Sequence, residues 1–185
     1  MKKTIKLVSA LCLLIGMNVS VNAQTTKVGG QEMYPTKNIV ENAVNSKDHT
    51  TLVAAVKAAG LVETLQSEGP FTVFAPVNDA FENLPSGTVD MLLKPENKAK
   101  LTAVLTYHVL PGKYDFEALK SAIKKGKGTA TIASVQGGNL SFMMNGKHNI
   151  TVWDENGNSA NISTYDVYQS NGVIQVIDRV LLPKS

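Results

Sequence analysis

The fold of this chain is decided by the stretch Gly69-Pro70-Phe71-Thr72-Val73-Phe74-Ala75-Pro76-Val77-Asn78-Asp79-Ala80-Phe81. Its β-branched and aromatic run, residues 71–75, is followed by proline and predicts a buried strand. Asn78 or Asp79 then caps a helix whose apolar face includes Phe81. The stretch is therefore predicted to be a strand that leads directly into a helix, with the apolar side chains of both in the core.

A second ordered stretch, Asn171-Gly172-Val173-Ile174-Gln175-Val176-Ile177-Asp178-Arg179-Val180-Leu181-Leu182-Pro183, stands near the end of the chain. It opens on a turn signal, Asn171-Gly172, and continues as a nearly unbroken apolar run, as a buried terminal strand requires. Between the two stretches lies the pair Tyr107-His108. An extended backbone is predicted there, which would point the two side chains to opposite faces of a strand.

The two stretches and the pair between them resemble the signature blocks and the Tyr-His pair of the fasciclin (FAS1) domain family. The resemblance covers nearly all of residues 36–183. It implies an α+β fold, a fasciclin-like β-wedge or sandwich of about six to seven short strands with a cover of several helices. The block residues expected to maintain this fold are Phe71, Phe74, Asn78, Asp79, Phe81, Asn171, Gly172, Val176 and Asp178.

The periodicity of the chain supports the same fold class independently. Apolar residues recur at helical spacing in several segments up to residue 125, and short strand-like runs follow from residue 129 to residue 182. Asn145-Gly146 and Asn156-Gly157 predict hairpins with type I′ turns. Helices in the first half and strands in the second indicate an α+β domain.

Residues 1–23 are predicted to be a secretory signal peptide of bacterial type. Three lysines precede the apolar run Leu7–Met17, which is too short to span a bilayer, and Val21-Asn22-Ala23 supplies small residues for cleavage before Gln24. Residues 24–35 are polar and aperiodic and predict a flexible tether, so that residues 36–185 form a single domain. We expect an exported, soluble protein of the periplasm or the extracellular space, with no membrane-spanning segment.

Removal of the signal peptide changes the composition. It takes away Cys12, the sole cysteine, so the mature chain would have no disulfide and no thiol chemistry. It also takes Lys2, Lys3 and Lys6 from the 18 basic residues, which leaves 15 to balance the 15 acidic ones. A neutral chain without a basic stripe lacks the charge distribution of a nucleic-acid binder.

No catalytic residue, metal ligand or cofactor is predicted. The histidines His49, His108 and His148 are isolated in sequence, without the paired spacing of zinc ligands. A serine-histidine-carboxylate site assembled in space stays open as a minor alternative. The run from Asp154 to Asn158 imitates the start of a calcium loop, but the later ligand positions fail, so a hairpin tip explains it better.

Tyr107 and His108 are the candidate partner-binding residues, because the resemblance implies a link between this neighbourhood and cell binding. The alternative is a buried imidazole hydrogen-bonded to a polar group near the first block, such as Asn78. Gln175 departs from the family pattern, in which many members carry a histidine, so a mechanism that needs an imidazole there is in doubt.

Three functions remain open. The first is an exported binding module that adheres to a surface or matrix protein or glycan. The second, also implied by the resemblance, is a carrier of a small apolar ligand such as a lipid or carotenoid, held in a cleft lined by Leu, Met and aromatic side chains. The third, carried only as a minor option, is an exported hydrolase. A monomer is expected.

Overall fold

A computed structural model describes residues 25–184 of the chain. Most of them are organised around a seven-stranded sheet with strand order β4-β3-β9-β8-β7-β6-β5, and a separate two-stranded hairpin lies at the N-terminal end. The α+β prediction is confirmed. The strands are β1 Thr26–Val28, β2 Gln31–Met33, β3 Phe71–Pro76, β4 Val109–Pro111, β5 Thr129–Ala133, β6 Asn139–Asn145, β7 Asn149–Trp153, β8 Ser159–Gln169 and β9 Gly172–Ile177.

Helices cover the sheet and start and end at recognisable caps. The side chain of Asn38 accepts from the backbone N–H of Glu41 while the Glu41 carboxylate accepts from that of Asn38, a capping box that begins α1. Gly60, at φ 74°, ends α2 in the left-handed conformation that glycine adopts readily. The helices are α1 Ile39–Ala43, α2 Thr50–Ala59, α3 Val62–Gln66, α4 Asn78–Glu82, α5 Thr88–Leu92, α6 Lys98–Tyr107 and α7 Phe116–Lys125.

The two signature blocks lie side by side in the middle of the sheet. Strand β3 pairs in parallel with β9, from Phe71 opposite Gly172 to Pro76 opposite Ile177. Every residue of β9 is buried. A parallel pair covered on both faces needs continuous apolar sequence, which is what the second block supplies. The blocks are therefore adjacent interior strands of one sheet.

Strand β8 bends the sheet and divides the core. Its first part pairs with β7 and its second part with β9, with register irregularities between them and Asp166 at φ 57°. One apolar cluster lies beneath α1, α2 and α6, and it includes Leu52, Leu105 and Ile174. A second lies between α7 and strands β5 to β8, and it includes Leu119, Phe142 and Val152. The bend explains the wedge-like shape implied by the resemblance.

The segment predicted to be a flexible tether is instead a hairpin packed on the domain. Strands β1 and β2 pair in antiparallel register, and Val28 and Met33 enter the first core cluster at 7% and 3% exposure. The sequence was misleading because only two of its side chains face inward, too few to give a periodic pattern. Among the other described residues of the segment, Lys27, Gly30, Gln31, Glu32 and Tyr34 are exposed.

Two further local predictions are wrong. Neither Asn145 nor Asn156 has a positive φ, so the hairpins form without type I′ turns; their glycines, Gly146 at 77° and Gly157 at 83°, carry the left-handed conformation alone. Residues 180–182 were predicted as a strand but join no ladder. Val180 and Leu181 are nonetheless buried. The apolar pattern of these residues therefore reflects their burial and not the pairing of a strand.

The predicted signal peptide, residues 1–23, lies outside the described residues. Within residues 25–184, no helix is long and apolar enough to cross a membrane.

Candidate functional site

The pair Tyr107-His108 lies at the end of a helix rather than in a strand. Tyr107 is the last residue of α6 and His108 is its C-cap, with φ −80° and ψ 0°. Both side chains are buried, at 0% and 3% exposure. The predicted extended backbone, with the two side chains on opposite faces of a strand, is therefore wrong.

The Tyr107 hydroxyl connects the first residue of strand β6 to the segment that follows strand β7. It donates to the backbone carbonyl of Asn139 at 2.7 Å and accepts from the backbone N–H of Glu155 at 3.1 Å. Gly138 lies against the ring, since a Cβ there would come within 2.9 Å of Tyr107 Cε2. Burial raises the pKa of the Tyr107 hydroxyl to about 12, so it stays protonated and acts as a structural hydrogen-bond bridge.

Both nitrogens of His108 are occupied by backbone groups. Nδ1 lies 2.8 Å from the Val104 carbonyl, and Nε2 accepts from the Leu181 N–H at 3.0 Å. Because an amide N–H can only donate, Nε2 carries no proton and Nδ1–H donates. Burial lowers the pKa of His108 to about 4, which keeps the imidazole neutral.

The structure favours the buried-imidazole interpretation of His108 but corrects its expected partner. The ring bonds Val104 and Leu181 rather than Asn78. A general base needs a free ring nitrogen within reach of the proton that it removes. With both nitrogens engaged and the ring buried, His108 is held as a structural crosslink between α6 and the end of the second block.

The asparagines of the two blocks each cap a helix from a distance. Asn78 Oδ1 accepts from Thr50 Oγ1 and from the Thr51 N–H, both at 3.1 Å, at the start of α2. Asn171 Oδ1 accepts from the Ile39 N–H at 3.1 Å, at the start of α1. The prediction that Asn78 or Asp79 caps the helix after the first strand is wrong: both residues lie within α4, which has no side-chain cap.

The remaining block residues differ in their surroundings. Gly172 is required because a Cβ there would lie 2.1 Å from the Phe71 carbonyl oxygen. Asp178 holds Asn161 through the backbone N–H at 2.8 Å and the side-chain amide at 2.9 Å. Phe74 and Val176 are buried, Phe71 and Phe81 pack against the core as half-buried side chains, and Asp79 is exposed.

Gln175 occupies the position at which the family resemblance implies a histidine in many members. The side chain is fully buried; its Nε2 donates to the Tyr114 carbonyl at 3.1 Å and to Asp166 Oδ1 at 2.9 Å, and its Oε1 accepts from the Asp166 N–H at 3.1 Å. These bonds fix Asp166, the positive-φ residue at the bend of β8. The amide therefore stabilises the fold.

The other histidines do not complete a site. His49 is buried beside Ser46, with Nδ1 2.8 Å from its hydroxyl, and burial lowers the pKa of the imidazole. His148 is exposed in the turn between β6 and β7. In the described part of the chain, no three His, Cys, Asp or Glu side chains converge as metal ligands would. Asp154 accepts from the backbone N–H of Asn156, Asn158 and Leu182, so the calcium-like run is a bonded hairpin tip.

An apolar cavity of about 100 Å³ lies between the helical cover and the sheet, and the sequence did not point to its particular lining residues. Buried members of the wall include Leu52, Val56 and Ile174, while Lys57 and Val135 are exposed and mark its mouth. Methionines and most aromatics predicted near a cleft lie elsewhere. Met143 and Trp153 are instead exposed on the outer sheet, at 42% and 37%.

Comparison with known proteins agrees with this architecture. A family model described as the fasciclin domain matches residues 47–183. The chain is 51% identical to protein sll1483 of Synechocystis over 78% of this chain and 73% of that protein, and 34% identical to the immunogenic protein MPB70 of Mycobacterium bovis over 76% and 66%. Periostin of Homo sapiens is 32% identical over 75% of this chain and 15% of its own length.

A solved structure shows the same fold. The FAS1 domain pair from the insect cell adhesion molecule fasciclin I superposes with a TM-score of 0.69 at 19% identity, covering 80% of this chain and 52% of that one. The fold is a bent sheet covered by helices, with the Tyr107-His108 pair buried inside it. The chain belongs to the fasciclin domain family.

Proposed function

We propose that this protein is an exported, non-catalytic binding module that mediates adhesion, or protein or glycan interaction, at the cell surface or in the extracellular matrix. One observation carries the proposal: the signature side chains that could do chemistry are already engaged inside the domain. Both nitrogens of His108 and the hydroxyl of Tyr107 bond backbone groups. The binding function is therefore assigned to the surface of the domain.

The proposed role of Tyr107 and His108 in partner binding is indirect. Their bonds connect the end of α6 to Asn139, Glu155 and Leu181, so they position the outer sheet and the C-terminal segment. A partner would contact the surfaces thus positioned and not the pair itself. The relatives support a binding role only in general terms, through the cell adhesion molecule that shares the fold.

Attachment of the native organism tests this function. A strain that lacks the protein should attach less to surfaces and matrix than its parent, and the full-length gene should restore attachment. N-terminal sequencing of the protein recovered outside the cytoplasm should begin at Gln24 if the signal prediction is right. Unchanged attachment in the deletion strain would contradict the adhesion role.

A second candidate, a carrier of a small apolar ligand, is favoured by the apolar cavity. Its volume of about 100 Å³ limits what can enter. An engineered apolar cavity of about 150 Å³ holds one benzene. The cavity would accordingly take one end of an apolar chain, with the body of a longer lipid lying outside its mouth at Lys57 and Val135.

Mass spectrometry of protein purified from the native host distinguishes this candidate. Bound lipid or pigment should be present in the wild type and lost in Ala43→Leu, which fills the cavity wall. Ala133→Leu, at an exposed position on β5, is the matched control and should keep the ligand. A colourless, lipid-free native preparation would rule the carrier function out.

A further inference from the structure

The outer face of strands β5 to β8 is a continuous, cross-paired surface. Two rows of directly opposed residues cross all four strands, as the pairing register shows. The first row is Thr129, Met143, Thr151 and Asn161, and the second is Thr131, Ser141, Trp153 and Ser159. We call these eight residues the outer rows.

The domain's own elements cover only the opposite side of these strands. The alternating residues, such as Phe142 and Val152, are fully buried in the second core cluster with Leu119 of α7. Successive side chains of a strand point to opposite faces, so the outer rows point away from that core. Met143 and Trp153 are exposed at 42% and 37%.

None of the outer rows is charged, although 18% of the residues of the chain are charged. The flanking outward positions of β5 and β6, Ala133, Asn139 and Asn145, are uncharged too. Strand β5 is moreover an edge of the sheet, where charged residues usually guard against pairing. The face therefore departs from an ordinary solvated surface in a specific way: it is polar without being ionic.

The hydroxyls of the outer rows retain hydrogen-bonding capacity. Thr131 and Ser141 share one long contact, 3.4 Å between hydroxyl oxygens, and Thr151 donates to Asn161 Oδ1 at 3.3 Å. Each hydroxyl offers one donor and two acceptor sites, so these single weak contacts leave most of them free. Asp178 fixes the Asn161 amide at 2.9 Å, which presents that side chain in one orientation.

The charges at the border disfavour an anionic partner at the Trp153 end of the face. Glu155 accepts from the Asn139 N–H at 3.1 Å beside that end, and Asp178 borders Asn161. Lys127 and Lys147 belong to the opposite end of the strands, while the exposed cations Arg179 and Lys184 follow Asp178 and the Pro183 carbonyl that Asn156 bonds. The Glu155 carboxylate at the Trp153 end repels sulfated or uronic-acid polymers and leaves neutral ones unaffected.

We propose that the outer rows bind a neutral polysaccharide, with one sugar ring stacked on Trp153; this rests on the proposed function as a binding module. A pyranose presents an apolar C–H face and a rim of hydroxyls. The electron-rich face of the indole complements the first, and uncharged hydroxyls and amides complement the second. A protein partner would instead require an apolar, tightly packed patch centre, for which only Met143 and Trp153 are present.

Trp153 provides its own readout because it is the only tryptophan in the chain. The full chain, expressed with its own N-terminal segment, is tested by pull-down with cellulose, chitin and cross-linked dextran, with alginate as the charged comparator. The matching neutral hexasaccharides are titrated while the tryptophan emission is recorded. At least one neutral polymer should retain the protein, and its hexasaccharide should shift the Trp153 emission in a saturable manner.

Two variants and one control locate the binding. Trp153→Ala should lower the affinity for that polymer about tenfold or more, a loss of about 1.4 kcal/mol. Ser141→Lys, which keeps the indole but puts a charge beside it, should also weaken binding. Tyr34→Ala removes an aromatic of similar exposure, 43%, from the N-terminal end and should bind normally. Thermal unfolding confirms that each variant is folded.

The following outcomes contradict the glycan-binding proposal, and they distinguish its failure from a failure of the broader function as a binding module. Absence of binding to every neutral polymer, or equal binding by Trp153→Ala, removes the outer rows as a glycan site. Retention by alginate alone contradicts the charge argument. Concentration-dependent dimerisation lost in Trp153→Ala, without glycan binding, would show that a second copy covers the face. If Trp153→Ala restores attachment to the deletion strain, the adhesion role stands and its site lies elsewhere.

Discussion

His108 Nε2 accepts the backbone N–H of Leu181 across 3.0 Å, which ties the end of α6 to the C-terminal segment. The bond gives a physical reason for finding both features in one chain: the histidine in the middle of the sequence holds the apolar block at its end. The Leu181 amide is buried and needs an acceptor, and a neutral imidazole supplies one without burying charge. His108 and Leu181 therefore belong to one structural unit, although they lie far apart in the sequence.

The stability of the domain should fall as the pH drops from 7 to 5. The pKa of His108 is about 4 in the folded state and about 6.5 when unfolded, so below pH 6.5 the unfolded chain binds a proton that the folded chain excludes. Stability is thus complete above the unfolded pKa and is lost as the pH falls toward the folded one. The loss between pH 7 and 5 should be about 2 kcal/mol from this residue, measured by urea denaturation.

The variant His108→Gln is the control for this pH dependence, because it cannot titrate. It should be less stable than the wild type at pH 7 but lose less stability on going to pH 5. His49, whose pKa burial also lowers, should account for part of the loss that remains. An identical pH dependence in both proteins would show that His108 does not couple folding to protonation.

Tyr107→Phe should destabilise the domain without changing what it binds. The substitution removes only the hydroxyl and leaves the Asn139 carbonyl and the Glu155 N–H without their partner. The expected cost is about 1–3 kcal/mol in the free energy of unfolding, measured by denaturant titration. Attachment or ligand binding should be unchanged at temperatures where the variant is folded; a specific loss of binding with full stability would return Tyr107 to the partner site.

Asn78→Ala should cost more stability than Asp79→Ala, although the two residues are adjacent in the first block. Asn78 caps the start of α2 and also donates to the Lys47 carbonyl at 2.9 Å, so its removal should cost about 1–2 kcal/mol. Asp79 is exposed in the first turn of α4 and should cost only about 0.3–1 kcal/mol. Chemical denaturation measures both, and equal losses would contradict the long-range cap.

The elements of the fold were largely predictable because their signals are local. The strand at 71–76 and the helix after it follow from β-branched, aromatic and helix-periodic residues within a short window. Strands β5 to β7 likewise lie within the series of short strand-like runs that is predicted from residue 129 onward. Side-chain alternation and turn residues suffice for such elements, since each depends on neighbours in the chain.

The roles of the polar residues were not predictable in the same way. Asn78 was expected to cap the helix that follows it, and it caps α2, which precedes it by many residues. His108 was expected to bond near the first block, and its partner Leu181 belongs to the second. Pairings of this kind depend on which strands become neighbours, here β3 beside β9, and no local pattern encodes that adjacency.

Met33→Ala should destabilise the whole domain, because the N-terminal hairpin is part of its core. Met33 is 3% exposed and belongs to the first apolar cluster. Truncating a buried methionine to alanine costs about 2–5 kcal/mol, the larger values arising where the cavity cannot collapse. Gln31→Ala, at an exposed position of the same strand, should change the free energy of unfolding by less than about 0.5 kcal/mol. Equal stability of Met33→Ala and the wild type in urea denaturation would mean that residues 26–33 act as the tether that their composition first suggested.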